Sequence, residues 1–244
     1  MFRQTFRMKA ILLFVATLAF VLSPLWSPSF KGYDPSMFPN PVDKPAVQPA
    51  GWAFSIWSLI YLWLVIHAAW GLFKRAEVSG WDQPRWPLFL SLALGASWLV
   101  VATSQPWLAT LQIWIMWAAA VWAMARAPRT LESALLSWPI SLYAGWLTAA
   151  SAVGTGVVLI GYNIGSETVV TLLMLSLVAA ISLTLILWLR PPRGYALGVI
   201  WALIGVIAAN WGHDVIMLPA CIYALALLVL TFWQPRSPRH GYSH

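Results

Sequence analysis

Apolar positions along this chain do not alternate. They gather in eight runs separated by short polar breaks, over 10–25, 51–73, 86–103, 107–125, 133–153, 168–189, 194–211 and 215–233. A helix rises ~1.5 Å per residue, so runs of about twenty residues can cross a hydrocarbon core of ~30 Å. The pattern predicts an all-α integral membrane protein, a bundle of about eight transmembrane helices. The third and fourth runs are separated only by Ser104, Gln105 and Pro106, a tight hairpin.

Composition agrees with a chain whose main solvent is lipid: of 244 residues 61% are hydrophobic and only 9% charged, with a mean hydropathy of +0.76. The net charge of +7 does not form a nucleic-acid-binding surface, because the cations fall between apolar runs. Their distribution sets orientation instead, since cytoplasmic loops collect Lys and Arg. With a cytoplasmic N-terminus and an even number of spans, 12 of the 14 basic residues lie on one side, from Arg3, Arg7 and Lys9 to Arg236 and Arg239. Only Lys31 and Lys44 lie on the other, with Asp34, Asp43, Glu167 and Asp214. This predicts a multi-pass protein of the inner cell membrane with both termini cytoplasmic.

The first run also has the basic start and short apolar core of a signal peptide, but its exit, Ser23-Pro-Leu-Trp-Ser-Pro-Ser29, lacks a cleavage site of small residues. A retained helix is therefore expected. The one long loop, 27–50, carries Pro28, Pro35, Pro39, Pro41, Pro45 and Pro49, which stiffen it and prevent helix. It is expected to lie over the outer mouth of the bundle; a plain spacer is the competing reading.

Lys44-Pro45-Ala-Val-Gln-Pro49-Ala-Gly-Trp52-Ala-Phe54, followed by Trp57 and Tyr61, resembles the signature of the TspO family, the tryptophan-rich sensory or translocator proteins: K-P-x-x-x-P-P-x-W-x-F-x-x-x-W-x-x-L-Y. The Lys-Pro pair, the later Pro, Trp and Phe keep the family spacing. Ala50 replaces the second Pro, one residue is missing between Phe54 and Trp57, and Ile60 replaces Leu. In the third run, Ser91-Leu-Ala-Leu-Gly95-Ala-Ser-Trp98 is similar to the family's Q-L-x-L-N-x-x-W, with Ser91 and Gly95 in place of Gln and Asn. In the fifth, Tyr143-Ala-Gly-Trp146-Leu-Thr-Ala149-Ala-Ser-Ala-Val-Gly154 is similar to P-Y-x-x-W-x-x-F-A-x-x-L-N, with Pro139 four residues before Tyr143 instead of adjacent, Ala149 for Phe and Gly154 for Asn. The resemblance implies a TspO-like five-helix part over 1–155, including the loop 27–50. Residues 156–244 would then be the three-helix extension and basic tail of long bacterial members, all in one membrane domain.

Turning 100° per residue, a helix sets Phe54, Trp57 and Tyr61 in a stripe about 60° wide, with Trp63 and Trp70 opposite. Trp98 shares a stripe with Ser91 and Gly95, and Trp146 with Tyr143. Small residues let helices approach, and the rings can wall a flat cavity between them. Such walls suit a planar, largely apolar ligand, and the resemblance implies binding of porphyrins and, in some members, sterols. The expected site is Lys44, Pro45, Trp52, Phe54, Trp57, Tyr61, Trp98, Tyr143 and Trp146, with a tetrapyrrole as ligand, no cofactor and no metal. Packing in the bundle is the competing role for every one of these rings.

The remaining candidates are weaker. His67 lies about 140° from Phe54 around its helix, which favours packing over haem ligation. His213 and Asp214 cannot converge alone on one ion, and Cys221 stands by itself. Gly198, Ala202, Gly205 and Ala209 form a small-residue stripe suited to packing in the bundle or to a homodimer. Lipid and a porphyrin-like molecule are the expected partners, and nucleic acid is not. A binding or sensing protein is the first functional reading. A carrier of a hydrophobic solute is the alternative, although no charge near mid-span would couple it to ions. A pigment-modifying enzyme comes third, since no catalytic constellation of side chains is present.

Overall fold

The computed structural model describes residues 2–27 and 32–233, and every regular element among them is helical. Pro28, Lys31, Arg236 and Arg239 lie outside the described residues. The helices are α1 (Phe2–Leu22), α2 (Ile56–Phe73), the short α3 (Ser79–Asp82), α4 (Arg85–Ala102), α5 (Pro106–Arg126), α6 (Ser137–Gly161), α7 (Glu167–Leu189), α8 (Gly194–Ala209) and α9 (Asp214–Trp233). A 3-10 turn, Gly51–Ser55, leads into α2. Among the described residues seven helical segments are long and apolar enough to cross a membrane, and α8 is an apolar helix of 16 residues beside them.

Several boundaries depart from the sequence pattern, three of them with a cause visible in the contacts. The fifth span starts at Ser137 rather than at Ser133, because Ser133 closes a turn: its hydroxyl donates to the Thr130 carbonyl at 2.6 Å. That span also continues past Val153 to Gly161, where Val157, Val158 and Ile160 bury against Phe38 and Val47 of the Pro-rich loop. The seventh span stops at Ala209, since the Asn210 amide donates to the Ala46 carbonyl at 2.8 Å and to the Val206 carbonyl at 2.9 Å.

Helix packing sets the layout. α1 lies between α2 and α4, α4 packs on α5, α5 on α6, and α6 returns to α2, so these five close a ring. On its other side α6 meets α7 and α8, and both reach α9. α6 thus serves both groups, and 78% of its span is buried. Small residues permit this. A Cβ on Gly145 would stand 2.0 Å from the Tyr195 carbonyl oxygen, and one on Gly198 would stand 2.8 Å from the Leu142 carbonyl oxygen. The glycines of α8 therefore pack inside the bundle, the first of the two roles foreseen for that stripe.

Polar groups within α6 are satisfied locally or across helices, as lipid requires. Thr148 and Thr155 hydroxyls donate to carbonyls one turn back, and accept from the Trp117 and Trp114 indoles of α5, each at 2.9 Å. The Tyr195 hydroxyl of α8 also reaches Thr148, at 3.0 Å. Part of the Trp content is therefore interhelical hydrogen bonding.

The charges near one end of the ring, expected only to set topology, form a bonded network around the buried Arg85. Arg85 is 2% exposed and donates to the carbonyls of Phe6, Gly71, Arg75 and Ala76. Asp82 pairs with Lys9 at 2.7 Å and with Arg85 at 3.3 Å. Arg75 Nε donates to both oxygens of Glu132, at 3.0 and 2.9 Å, and the Trp81 indole donates to the same carboxylate. His67 is a packing residue, stacked on Trp81 and hydrogen-bonded to the Leu135 carbonyl at 2.8 Å. Together these contacts tie α1, α2, α4 and the α5–α6 connection.

Candidate functional site

A cavity of about 620 Å³ opens within the five-helix ring, inside the range of ~300–1,000 Å³ usual for small-molecule sites. Each ring helix supplies part of its wall: Phe20 and Pro24 flank α1's C-terminal end, Trp57 and Tyr61 come from α2, Gly95 and Trp98 from α4, Ile113 and Met116 from α5, and Trp146, Ala150 and Gly154 from α6. Ala202 of α8 also reaches it.

Local backbone geometry explains how Phe54 joins Trp57. The segment Gly51–Ser55 is a 3-10 turn, with 3.0 residues per turn, so positions i and i+3 face the same way. That turn absorbs the residue missing between Phe54 and Trp57. The rings then form a continuous wall. Trp146 meets Phe54 and Trp57 edge-on, both at 6.0 Å, and Trp57 lies 5.2 Å from Tyr61.

Phe20 of α1 completes that wall, 5.8 Å from Trp57 and 5.2 Å from Tyr61. Its position depends on Gly95, where a Cβ would come within 2.6 Å of the Phe20 ring. The space beside Gly95 is thus taken by a phenyl ring from the first helix. No sequence signal marks Phe20, which is one Phe in an apolar run.

The Pro-rich loop roofs the cavity with Gly32, Tyr33, Gln48 and Pro49. It is strapped down by backbone groups: Asn40 N–H donates to the Gly161 carbonyl and Ala50 N–H to the Gly205 carbonyl, both at 2.9 Å, while Ala46 N–H donates to the Glu167 carboxylate at 2.6 Å. The covering role is the structural outcome of the two readings of this loop. Tyr33 lies over Gly154, and burial pushes its phenol pKa up, so it remains neutral.

The site residues named from the sequence divide into two groups. Phe54, Trp57, Tyr61, Trp98 and Trp146 line the cavity. The other four do not. Lys44 is exposed, in a left-handed turn with φ of 51°, and Pro45 is buried under the loop away from the lining. Trp52 is carried by the 3-10 turn toward α8, where it lies edge-on to Trp201 at 5.3 Å and is 47% exposed. Tyr143 is fully buried one layer back, 5.8 Å from Phe20, and its hydroxyl donates to Ser91, which itself donates to the Met116 carbonyl. It ties α4, α5 and α6.

The family profile of TSPO-like proteins matches residues 10–233. The chain belongs to the TSPO-like family. No characterised protein and no solved structure matches it. The family match spans from within α1 to the end of α9 and so includes the helices beyond α6.

Within this TSPO-like chain the cavity carries no charged side chain among its described lining residues; its polar side chains are Ser27, Tyr33, Gln48, Tyr61 and the indoles. The Trp98 indole is committed to the Ala109 carbonyl at 2.9 Å. The Trp146 indole N–H is buried without an acceptor among the described residues. Among the described residues no three His, Cys, Asp or Glu side chains are grouped to hold a metal ion.

Proposed function

We propose that this membrane protein binds a planar, largely apolar ligand of porphyrin type in the aromatic cavity and acts as a sensor or ligand-handling protein. The observation that carries the reading is the cavity of about 620 Å³ walled by Phe54, Trp57, Tyr61, Trp98 and Trp146, with no charged side chain among its described lining residues. Flat π-faces give a planar ligand large contact area with little entropy loss, and edge-on pairs leave ring faces free to stack. A ligand acceptor reaching the Trp146 indole would also relieve the cost of a buried, unpaired donor, about 1–3 kcal/mol.

Membership of the TSPO-like family favours binding over catalysis. With no Asp, Glu, His, Lys or Arg among the described lining residues, coupling to a proton or sodium gradient has no charged relay to work through. The positive-inside distribution supports the inner membrane and two cytoplasmic termini, which places the cavity roof on the outer side. The charged network then lies at the cytoplasmic end.

The test is a parallel titration of intrinsic tryptophan fluorescence with protoporphyrin, haem and a sterol in one detergent. Saturable quenching by protoporphyrin at stoichiometry one, and weaker or linear quenching by the sterol, is expected. Linear, non-saturating quenching by every ligand would overturn the proposal.

A further inference from the structure

At the charged end of the bundle, away from the aromatic cavity, a second pocket of about 240 Å³ lies between the ends of α5 and α7. Met124, Ala127, Arg129, Leu189, Arg190 and Pro191 are among its walls. We propose that it binds the phosphate headgroup of an anionic membrane phospholipid, held between the Arg129 and Arg190 guanidinium groups.

The electrostatics are unusual for a surface pair. Arg190 is close enough that its charge, together with partial burial as the larger cause, disfavours the protonated form of Arg129. Two like charges held together destabilise each other unless an anion lies between them. The described residues supply none. At this end Asp82 is engaged by Lys9 and Arg85, Glu132 is engaged by Arg75, and Glu77 borders a different hollow beside Arg7 and Arg75. The remaining carboxylates belong to the opposite end: Asp34 and Asp43 lie in the loop roofing the cavity, Glu167 bonds that loop, and Asp214 opens α9.

The donors are also available. Arg129 uses one N–H, on the Leu189 carbonyl at a long 3.4 Å, and no hydrogen bond or ion pair of the Arg190 guanidinium occurs among the described residues. The backbone holds the pair in place: α7 ends with Arg190 in the left-handed conformation, φ 46°, and Pro191 and Pro192 prevent the helix from continuing.

Position decides between sources of phosphate. The pocket sits where two membrane-spanning helices end, and Leu189 forms part of its wall while Trp188, 84% exposed, precedes it. Apolar wall, exposed indole and paired arginines at one level match the layering of acyl chain and headgroup. Basic pockets between helix ends on the cytoplasmic side are favourable places for anionic headgroups.

The full chain would be placed in nanodiscs of phosphatidylcholine, with or without dioleoyl-phosphatidylglycerol, and its thermal midpoint followed by tryptophan fluorescence. Phosphatidylglycerol should raise the midpoint of the wild-type chain. R129Q/R190Q should lose at least half of that increment, R129K/R190K should keep most of it, and R126Q should keep all of it, since Arg126 lies outside the pocket and binds the Gln83 carbonyl. R190Q alone serves if the double variant does not fold, because it breaks no hydrogen bond.

Four results would overturn the proposal. These are no increment in the wild type, an equal increment in R129Q/R190Q, an equal loss in R126Q, or the full increment reproduced by inorganic phosphate in pure phosphatidylcholine. If the arginines only cap α7, the double variant will be lowered equally in both lipids, which counts as an equal increment.

Discussion

Among single residues, Trp146 has the clearest divided role. Its ring is 2% exposed, lines the cavity and meets Phe54 and Trp57, whereas Trp70 on α2 is 36% exposed and borders no part of the cavity. Trp146→Phe should weaken protoporphyrin binding about tenfold, a loss of roughly 1 kcal/mol or more for a pocket ring, while Trp70→Phe should leave it within about twofold. Fluorescence titration of both variants at matched thermal stability checks this, and equal affinities would return Trp146 to a packing role. Glu132 provides a second test at this scale. Hydrogen bonds from Arg75 hold its carboxyl below the ordinary value of 4.5, with burial opposing and Trp81 assisting. A carboxylate with a depressed folded pKa stabilises the protein above its unfolded pKa, and that contribution is lost as pH falls through the folded value. Thermal stability should therefore decline on acidification below about pH 4.5, and Glu132→Gln should be less stable at neutral pH with a flatter acid limb.

Between elements, the closest approach is the crossing of α6 and α8. No side chain fits at Gly145, where a Cβ would overlap the Tyr195 carbonyl at 2.0 Å, whereas a Cβ at Gly51 meets nothing within 4 Å. Gly145→Ala should force the helices apart and cost about 1–3 kcal/mol or more, seen as a clearly lowered thermal midpoint. Gly51→Ala should leave the midpoint nearly unchanged. The element scale also shows where pattern reading stopped. Helical periodicity puts Tyr143 and Trp146 on one stripe, and both face the interior. Which of them reaches the cavity depends on Phe20, a residue of another helix that occupies the space in front of Tyr143. The same holds for Trp52, whose direction depends on a 3-10 turn that periodicity at 100° per residue does not represent.

At the scale of the molecule, the two ends differ in kind. One holds Lys9, Arg75, Asp82, Arg85 and Glu132 in a bonded network, and the other holds the Pro-rich loop strapped to Gly161, Glu167 and Gly205. Reporters inserted near Pro39 or Ser166 should therefore both be external, and one fused at the C-terminus cytoplasmic; an external C-terminus would refute the orientation. The number, length and polarity of the spans follow from local properties of the chain, because lipid demands long apolar helices wherever the backbone crosses and leaves charge for the ends. The TspO-like motifs likewise mark Trp57, Trp98 and Trp146 one helix at a time. The cavity itself is a property of five helices meeting. Phe20 enters because Gly95 leaves room, Lys44 turns outward because its loop is bonded to α6, α7 and α8, and Arg85 is buried because four carbonyls from two other segments converge on it. Each of these depends on distances between residues far apart in the chain, which spacing along one helix does not encode.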